Sequence, residues 1–130
     1  MDSLYRDYIL DHYRHPQNFG TLENPDGASE EVNELCGDRI KMQIKFRISN
    51  FEFRIKDVKF YGEGCAIMIA SASMLTEKVK GLKEDEIMKL NTDSVLEILG
   101  IELTPNRIKC AVLPLEALQK SLILAKKKRK

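Results

Sequence analysis

Residues 40–48 read Ile-Lys-Met-Gln-Ile-Lys-Phe-Arg-Ile. Strict alternation of this length leaves one option, an extended strand with one face buried and the other wet, because successive side chains of a strand point to opposite sides. Ser49 and Asn50 predict a tight turn, after which Phe51, Phe53 and Ile55 resume the alternation. Lys56 and Asp57 then fall together before the apolar pair Val58 and Phe60. One extra residue there predicts a β-bulge, since without it the second half of the strand would turn its apolar set to solvent. The two runs therefore form an antiparallel hairpin.

The rest of the chain is organised around that hairpin. A helix is predicted over Leu4 to Arg14, with Leu4, Tyr8 and Ile9 on one stripe, Asp2 or Ser3 as N-cap, and Pro16 ending it. Residues 16–35 hold Asn18, Gly20, Asn24, Pro25, Asp26 and Gly27, a loop with a short edge strand near Ser29 to Asn33. After "YGEGC", Ile67, Ala70, Ser71, Met74 and Leu75 follow helical spacing, with Val79 near the end and Gly81 just past it. Two short helices are predicted at Lys83 to Leu90 and Asp93 to Leu99, the second capped by Thr92. Pro105 marks a loop, and a last helix from about Pro114 to Ala125 buries Leu115, Leu118 and Leu122. Strands first and helices afterwards imply an α+β layer, a small antiparallel sheet of about three strands with helices packed on one face. Residues 1–125 are expected to form one domain and 126–130 a flexible basic tail.

Composition narrows the class. The chain has 130 residues, 43% hydrophobic and 32% charged, enough for a real core in a globular protein. A net charge of +1 supplies no general field for polyanions, so no nucleic-acid partner is expected. No apolar run approaches the length of a membrane span, and the acidic, h-region-free start does not read as a secretory signal. A cytoplasmic protein is the expectation.

The three cysteines, Cys36, Cys65 and Cys110, are odd in number and widely spaced, unlike a secreted disulfide framework. Three unrelated buried thiols would satisfy the count. Position argues instead for a shared site: Cys36 precedes the first clear strand, Cys65 follows Gly62 and Gly64 at a strand-to-helix junction, and Cys110 precedes the last predicted helix. Helix N-termini favour thiolate, the form that binds metal or attacks sulfur. A tetrahedral zinc or a [2Fe-2S] cluster would need a fourth protein ligand. Asp38 is the natural one, because residues two apart at the mouth of an extended segment share a side, and Gly37 between them clears space. A Cys–His nucleophilic pair of Cys65 with His12 is the alternative, with no motif behind it.

Several stretches in combination, "DHYRHPQNFG", "CGDRI", "GEGCAIMIASASMLTE", "VKG" and "RIKCAVLPLEAL", make the chain resemble the IscU/SufU/NifU-N class of iron–sulfur cluster assembly scaffolds, from Tyr5 to about Leu122. The resemblance implies cluster or zinc ligands at Cys36, Asp38, Cys65 and Cys110. It implies sulfur received as persulfide from a pyridoxal-phosphate cysteine desulfurase, with Cys110 or Cys36 as acceptor. It also implies iron from a donor, a transient [2Fe-2S] cluster and its transfer to apo iron–sulfur proteins, the chain acting as a platform more than an enzyme. The alternative from the SufU side is a zinc-bound sulfur acceptor that relays persulfide and activates the desulfurase. Where IscU-type members carry histidine before the last cysteine this chain has Lys109, expected to modulate the Cys110 thiolate. Where they carry the "LPPVK" segment read by an Hsp70-type chaperone it has "LTPNR", so chaperone docking is not carried over. Leu35, Ile67 and Val112 are expected to form a dry docking patch, with the basic tail adding attraction to an acidic desulfurase surface.

Overall fold

The computed structural model describes residues 3–129. Strands β1 (Gly27–Asn33), β2 (Asp38–Ser49) and β3 (Glu52–Glu63) form one antiparallel sheet in the order β1-β2-β3. Helix α1 (Ser3–Arg14) precedes it, and α2 (Ala66–Val79), α3 (Glu84–Met88), α4 (Thr92–Leu99) and α5 (Pro105–Lys128) follow. This is the expected α+β arrangement. Ile40, Met42 and Ile44 of β2 meet Val58 and Phe60 of β3 in the core, all fully buried. The bulge falls where the alternation slips: Lys45 faces Asp57 and Phe46 faces Ile55, leaving Lys56 as the extra residue.

The segment between α1 and β1 crosses the sheet. Gly20 donates to Phe60 O at 2.8 Å on the outer edge of β3, Leu22 N–H donates to Gln43 Oε1 at 2.8 Å, and Asp26 N–H donates to Ile44 O at 2.8 Å. The route passes Gln43, whose side chain points away from the core by the pleat.

Several local readings are corrected. The turn between β2 and β3 is Asn50–Phe51, both at positive φ (52° and 65°), rather than Ser49–Asn50. The buried alternation stops at Ile44: Phe46 is half-buried, while Ile48 and Phe51 are 64% and 100% exposed, because the hairpin tip projects past the helices that cover the sheet. In α1 the buried pair is Ile9 and His12, while Leu4 and Tyr8 are exposed. His12 Nδ1 lies 2.7 Å from Ser73 Oγ, which also accepts from Gln17 N–H at 2.8 Å, so an imidazole docks α1 on α2. Of the two N-caps expected there, Asp2 lies outside the described residues. Asn91, not Thr92, caps α4, accepting from Ser94 N–H at 3.1 Å.

The largest departure is α5. Pro105 is its first residue rather than a loop marker, since proline lacks only an N–H that the first turn leaves unpaired anyway. Pro114 lies inside it, and the helix continues through Lys128, so Lys126–Lys128 are helical. Arg129 donates to Glu84 at 2.8 Å and its guanidinium lies 3.7 Å from the Phe53 ring centre. Among the described residues no helix is long and apolar enough to cross a membrane.

Helix α5 reaches β1 and β2 through small residues. Ser29 Oγ donates to Ala117 O at 2.6 Å, and Ser121 Oγ lies 2.8 Å from Ala117 O and 3.2 Å from Met42 O. A Cβ on Gly27 would strike the Ser121 carbonyl and stand 2.9 Å from the Ala125 Cβ. Gly27→Ala should therefore destabilise the fold by about 2 kcal/mol, a typical overpacking cost, with a thermal midpoint lower by roughly 6–10 °C in a calorimetric scan.

Candidate metal centre

Three elements deliver the cysteines to one place. Residues Glu34 to Gly37 form the loop joining β1 to β2, closed by Cys36 N–H donating to Asn33 O at 3.3 Å, with Gly37 at φ +71°. Cys36 therefore sits in a turn rather than an extended segment. The two-apart argument for Cys36 and Asp38 does not hold; the reversal of the chain at Gly37 brings them together. Asp38 opens β2, pairs with Asn33, and is fully buried in register with Ile40, Met42 and Ile44.

Cys65 is the N-cap of α2, half-buried, with extended backbone. Its N–H donates to Asp38 Oδ1 at 2.9 Å and its Sγ lies 3.8 Å from Asp38 Oδ2. The carboxylate thus caps the helix in place of the cysteine's own side chain and takes the favourable end of its dipole. This approach needs Gly64, where an added Cβ would stand 2.6 Å from both Asp38 Oδ1 and Met68 Cε. Met68, which cysteine spacing does not single out, is fully buried and forms part of the wall.

Cys110 does not begin a helix. It lies in the second turn of α5, fully buried, its thiol 3.6 Å from Asn106 O. The expected N-terminal thiolate is replaced by its opposite. Burial pushes the Cys110 thiol strongly up, helped by hydrogen bonds with Asp38, Cys36 and Cys65 and by the charge of Cys65. Cys36 Sγ, a carboxylate oxygen of Asp38 and Cys110 Sγ all lie within 4.8 Å of one another, with Cys65 beside Asp38 and in reach of Cys110.

Three sulfurs and one carboxylate suit a tetrahedral zinc or a small iron–sulfur unit, and a bound cation would supply the charge that turns Cys110 to thiolate. Tetrahedral Zn–S bonds of about 2.3 Å bring sulfurs to within roughly 4 Å of one another, and Cys65, which lies beside Asp38 but outside the group that meets within 4.8 Å, would have to close on the other three to complete such a site. His12 is engaged by Ser73 and stands 3.6 Å from Glu77 Oε1, and no contact joins it to Cys65 among the described residues. Lys109 is exposed beside Cys110. Leu35 is 82% exposed at the loop, while Ile67 and Val112 are half-buried. Lys126 lies about 24 Å along α5 from Cys110, so the basic end does not border the site.

The model of the NifU-like N-terminal domain family matches residues 4–130. The iron–sulfur cluster assembly scaffold protein IscU of Escherichia coli K12 is 37% identical over 128 residues, covering 96% of each chain. The zinc-dependent sulfurtransferase SufU of Bacillus subtilis 168 is also 37% identical, covering 94% of this chain and 91% of its own. A crystal structure described as an iron–sulfur cluster assembly scaffold for the SUF system, from the thermophile Fervidobacterium islandicum AW-1, matches with a TM-score of 0.72 at 27% identity, covering 89% of this chain and 94% of that one.

Exposure and protonation together order the thiols. In metal-free protein at pH 8, iodoacetamide should modify Cys36 first and Cys110 last, as read by peptide mass spectrometry over time. Gly64→Ala, which displaces Asp38, should weaken zinc binding by at least about tenfold, equivalent to roughly 1.4 kcal/mol, in a competition titration. Gly37→Ala meets no atom within 4 Å of its added Cβ and should cost about 1 kcal/mol of stability from its left-handed backbone, leaving zinc affinity within threefold, or under about 0.7 kcal/mol.

Proposed function

The chain belongs to the NifU-like N-terminal domain family, and we propose that it is a scaffold on which [2Fe-2S] clusters are assembled and from which they are passed on. The observation that carries this reading is the meeting of Cys36, Asp38 and Cys110 donor atoms within 4.8 Å, at a loop whose cysteine is exposed. Cys36, Asp38, Cys65 and Cys110 are the proposed ligands. The cluster is the cargo: three thiolates hold it, and the carboxylate, a harder ligand than sulfur, is the position from which iron exchanges.

Sulfur enters from a cysteine desulfurase. The exposed Cys36 thiolate attacks the terminal sulfur of a persulfide on the donor; a new S–S bond forms on Cys36, the donor's S–S bond breaks, and the donor cysteine leaves as thiolate. Cys36 is favoured over Cys110 because the latter is buried and held as thiol. Reduction of the persulfide to sulfide takes two electrons from an external thiol or electron carrier, and iron comes from a separate donor. Lys109 places an ammonium at the exposed face beside the site, where it attracts the anionic persulfide. Leu35, 82% exposed on the same loop as Cys36, offers apolar area to the delivering segment. Apo iron–sulfur proteins are the recipients.

A second reading has specific support. Three thiolates and a carboxylate would fill the four positions of a single zinc without histidine, and the similarity to a zinc-dependent sulfurtransferase fits a zinc-bound acceptor that relays persulfide and builds no cluster.

The two readings separate in one experiment: anaerobic incubation with iron, cysteine carrying labelled sulfur, and a desulfurase from the same cell. The scaffold reading expects labelled sulfur on Cys36 and then iron and acid-labile sulfide in equal amounts. Labelled persulfide with zinc retained and no sulfide supports the relay. No label on any of the three cysteines removes both. Asp38→Ala should fold normally and lose its assembled cluster more slowly in air, followed by the decay of visible absorbance; faster loss would make Asp38 a stabilising ligand.

A further inference from the structure

Asn33, the last residue of β1, stands at the meeting point of the elements that carry the proposed ligands. Its carbonyl accepts from Cys36 N–H at 3.3 Å, so it opens the turn on which Cys36 sits. It is also the strand partner of Asp38. Directly paired residues put their side chains on one face of the sheet, with Cβ atoms about 5 Å apart. That face is the one toward α5: Gly27 lies against Ser121 and Ala125, and Ser29 Oγ donates to Ala117 O at 2.6 Å. The strand thus runs toward the N-terminal half of the helix, and Asn33, two inward positions beyond Ser29, comes over the turns that hold Cys110.

The amide of this side chain has no work within the chain. Asn33 Nδ2 is the only buried side-chain nitrogen or oxygen, among the described residues, without a hydrogen-bond partner. Folded proteins rarely leave such a group unpaired, because burial strips it of water and returns nothing. The acceptors next to it are short of donors. Asp38 Oδ1 accepts from Cys65 N–H at 2.9 Å, but among the described residues no N–H donates to any of the three sulfurs. Three thiolates and a carboxylate carry more negative charge than one divalent cation cancels, and buried thiolate ligands are ordinarily steadied by N–H donors around them.

We propose that Asn33 is a donor held for the loaded site, its Nδ2–H going to the thiolate sulfur of Cys36 or Cys110 once metal is bound. This role rests on the ligand set proposed above and is the same for zinc and for a cluster. An N–H···S bond draws electron density from the sulfur and fixes the direction in which its remaining lone pairs point. Asn33 is therefore a positioning residue, touching a ligand and not the metal. The amide is unpaired in the metal-free chain and paired in the loaded one, so removing it should affect only the second.

The test uses the full chain under reducing, anaerobic conditions, with zinc for affinity and cobalt(II) as a coloured substitute. Metal-free Asn33→Ala should melt at or above the wild-type temperature, while its zinc affinity falls by about tenfold or more in a competition titration. Its sulfur-to-cobalt charge-transfer absorption should move to longer wavelength, as expected for thiolate that has lost a donor. Asn33→Leu, of similar bulk and with no N–H, should behave alike. A metal-free Asn33→Ala that melts clearly lower makes the residue structural and overturns the proposal. So does zinc affinity within threefold of wild type, or a loss in Asn33→Ala that Asn33→Leu restores. Weaker affinity with an unmoved charge-transfer band would give the amide to the Asp38 carboxylate and overturn it as well. A wild type whose cobalt spectrum lacks thiolate charge transfer would remove the ligand set itself, and this role with it.

Discussion

A carboxylate stands where the core-facing side of β2 would otherwise continue. Ile40, Met42 and Ile44 fill that side, and Asp38 occupies the next position in the same register, fully buried. Burying a charge without partners costs far more than a fold of this size can absorb. The chain meets the demand by aiming the first free N–H of α2 at Oδ1, 2.9 Å away. That bond fixes where α2 begins and hence where the Cys65 sulfur lies. Gly64 follows from it, since any side chain there would occupy the carboxylate's place. The position of α2 then dictates that of α1, docked through His12, and of α5, which packs against α2 and the sheet.

Helix α5 carries the opposite kind of demand. Its fourth ligand candidate, Cys110, is buried among groups that all disfavour its negative form. Left alone the residue behaves as a small apolar core side chain. Only a cation between Cys36, Asp38 and Cys110 would compensate the charge. Two nearby features adapt the backbone: Pro114 cannot donate to the Cys110 carbonyl four residues earlier, and Ser71 of α2 donates to Ala111 O at 2.6 Å. The two cysteine-bearing helices are thereby joined one residue from the buried thiol.

What could be read from sequence follows from which signals are local. The alternation of β2, the doubled Lys56–Asp57 and the i, i+3, i+4 spacing of α2 each report a geometry set by the residues themselves, and each matches the structure. Ile48 and Phe51 did not, because their exposure depends on where the covering helices end. Prolines misled in both directions. Pro105 opens a helix and Pro114 sits within one, since the packing of α5 along β1, β2 and α2 outweighs one lost hydrogen bond. That Asp38 stands near Cys36 was legible from its place two residues on, but for the wrong reason, since the turn at Gly37 rather than a shared strand face brings them together. The inner location of Cys110 was not, because it rests on a helix that starts nine residues earlier than its apolar spacing suggests.

The long separation of Cys36 and Cys110 along the chain has a consequence during synthesis. A ribosome delivers the β1–β2 loop and the head of α2 well before α5, so an emerging chain presents two thiols and a carboxylate with no fourth donor. The complete donor set comes into being only when the last helix has packed across the sheet. Metal held by all four candidate donors would thus mark a finished chain, and products truncated before α5 would lack Cys110.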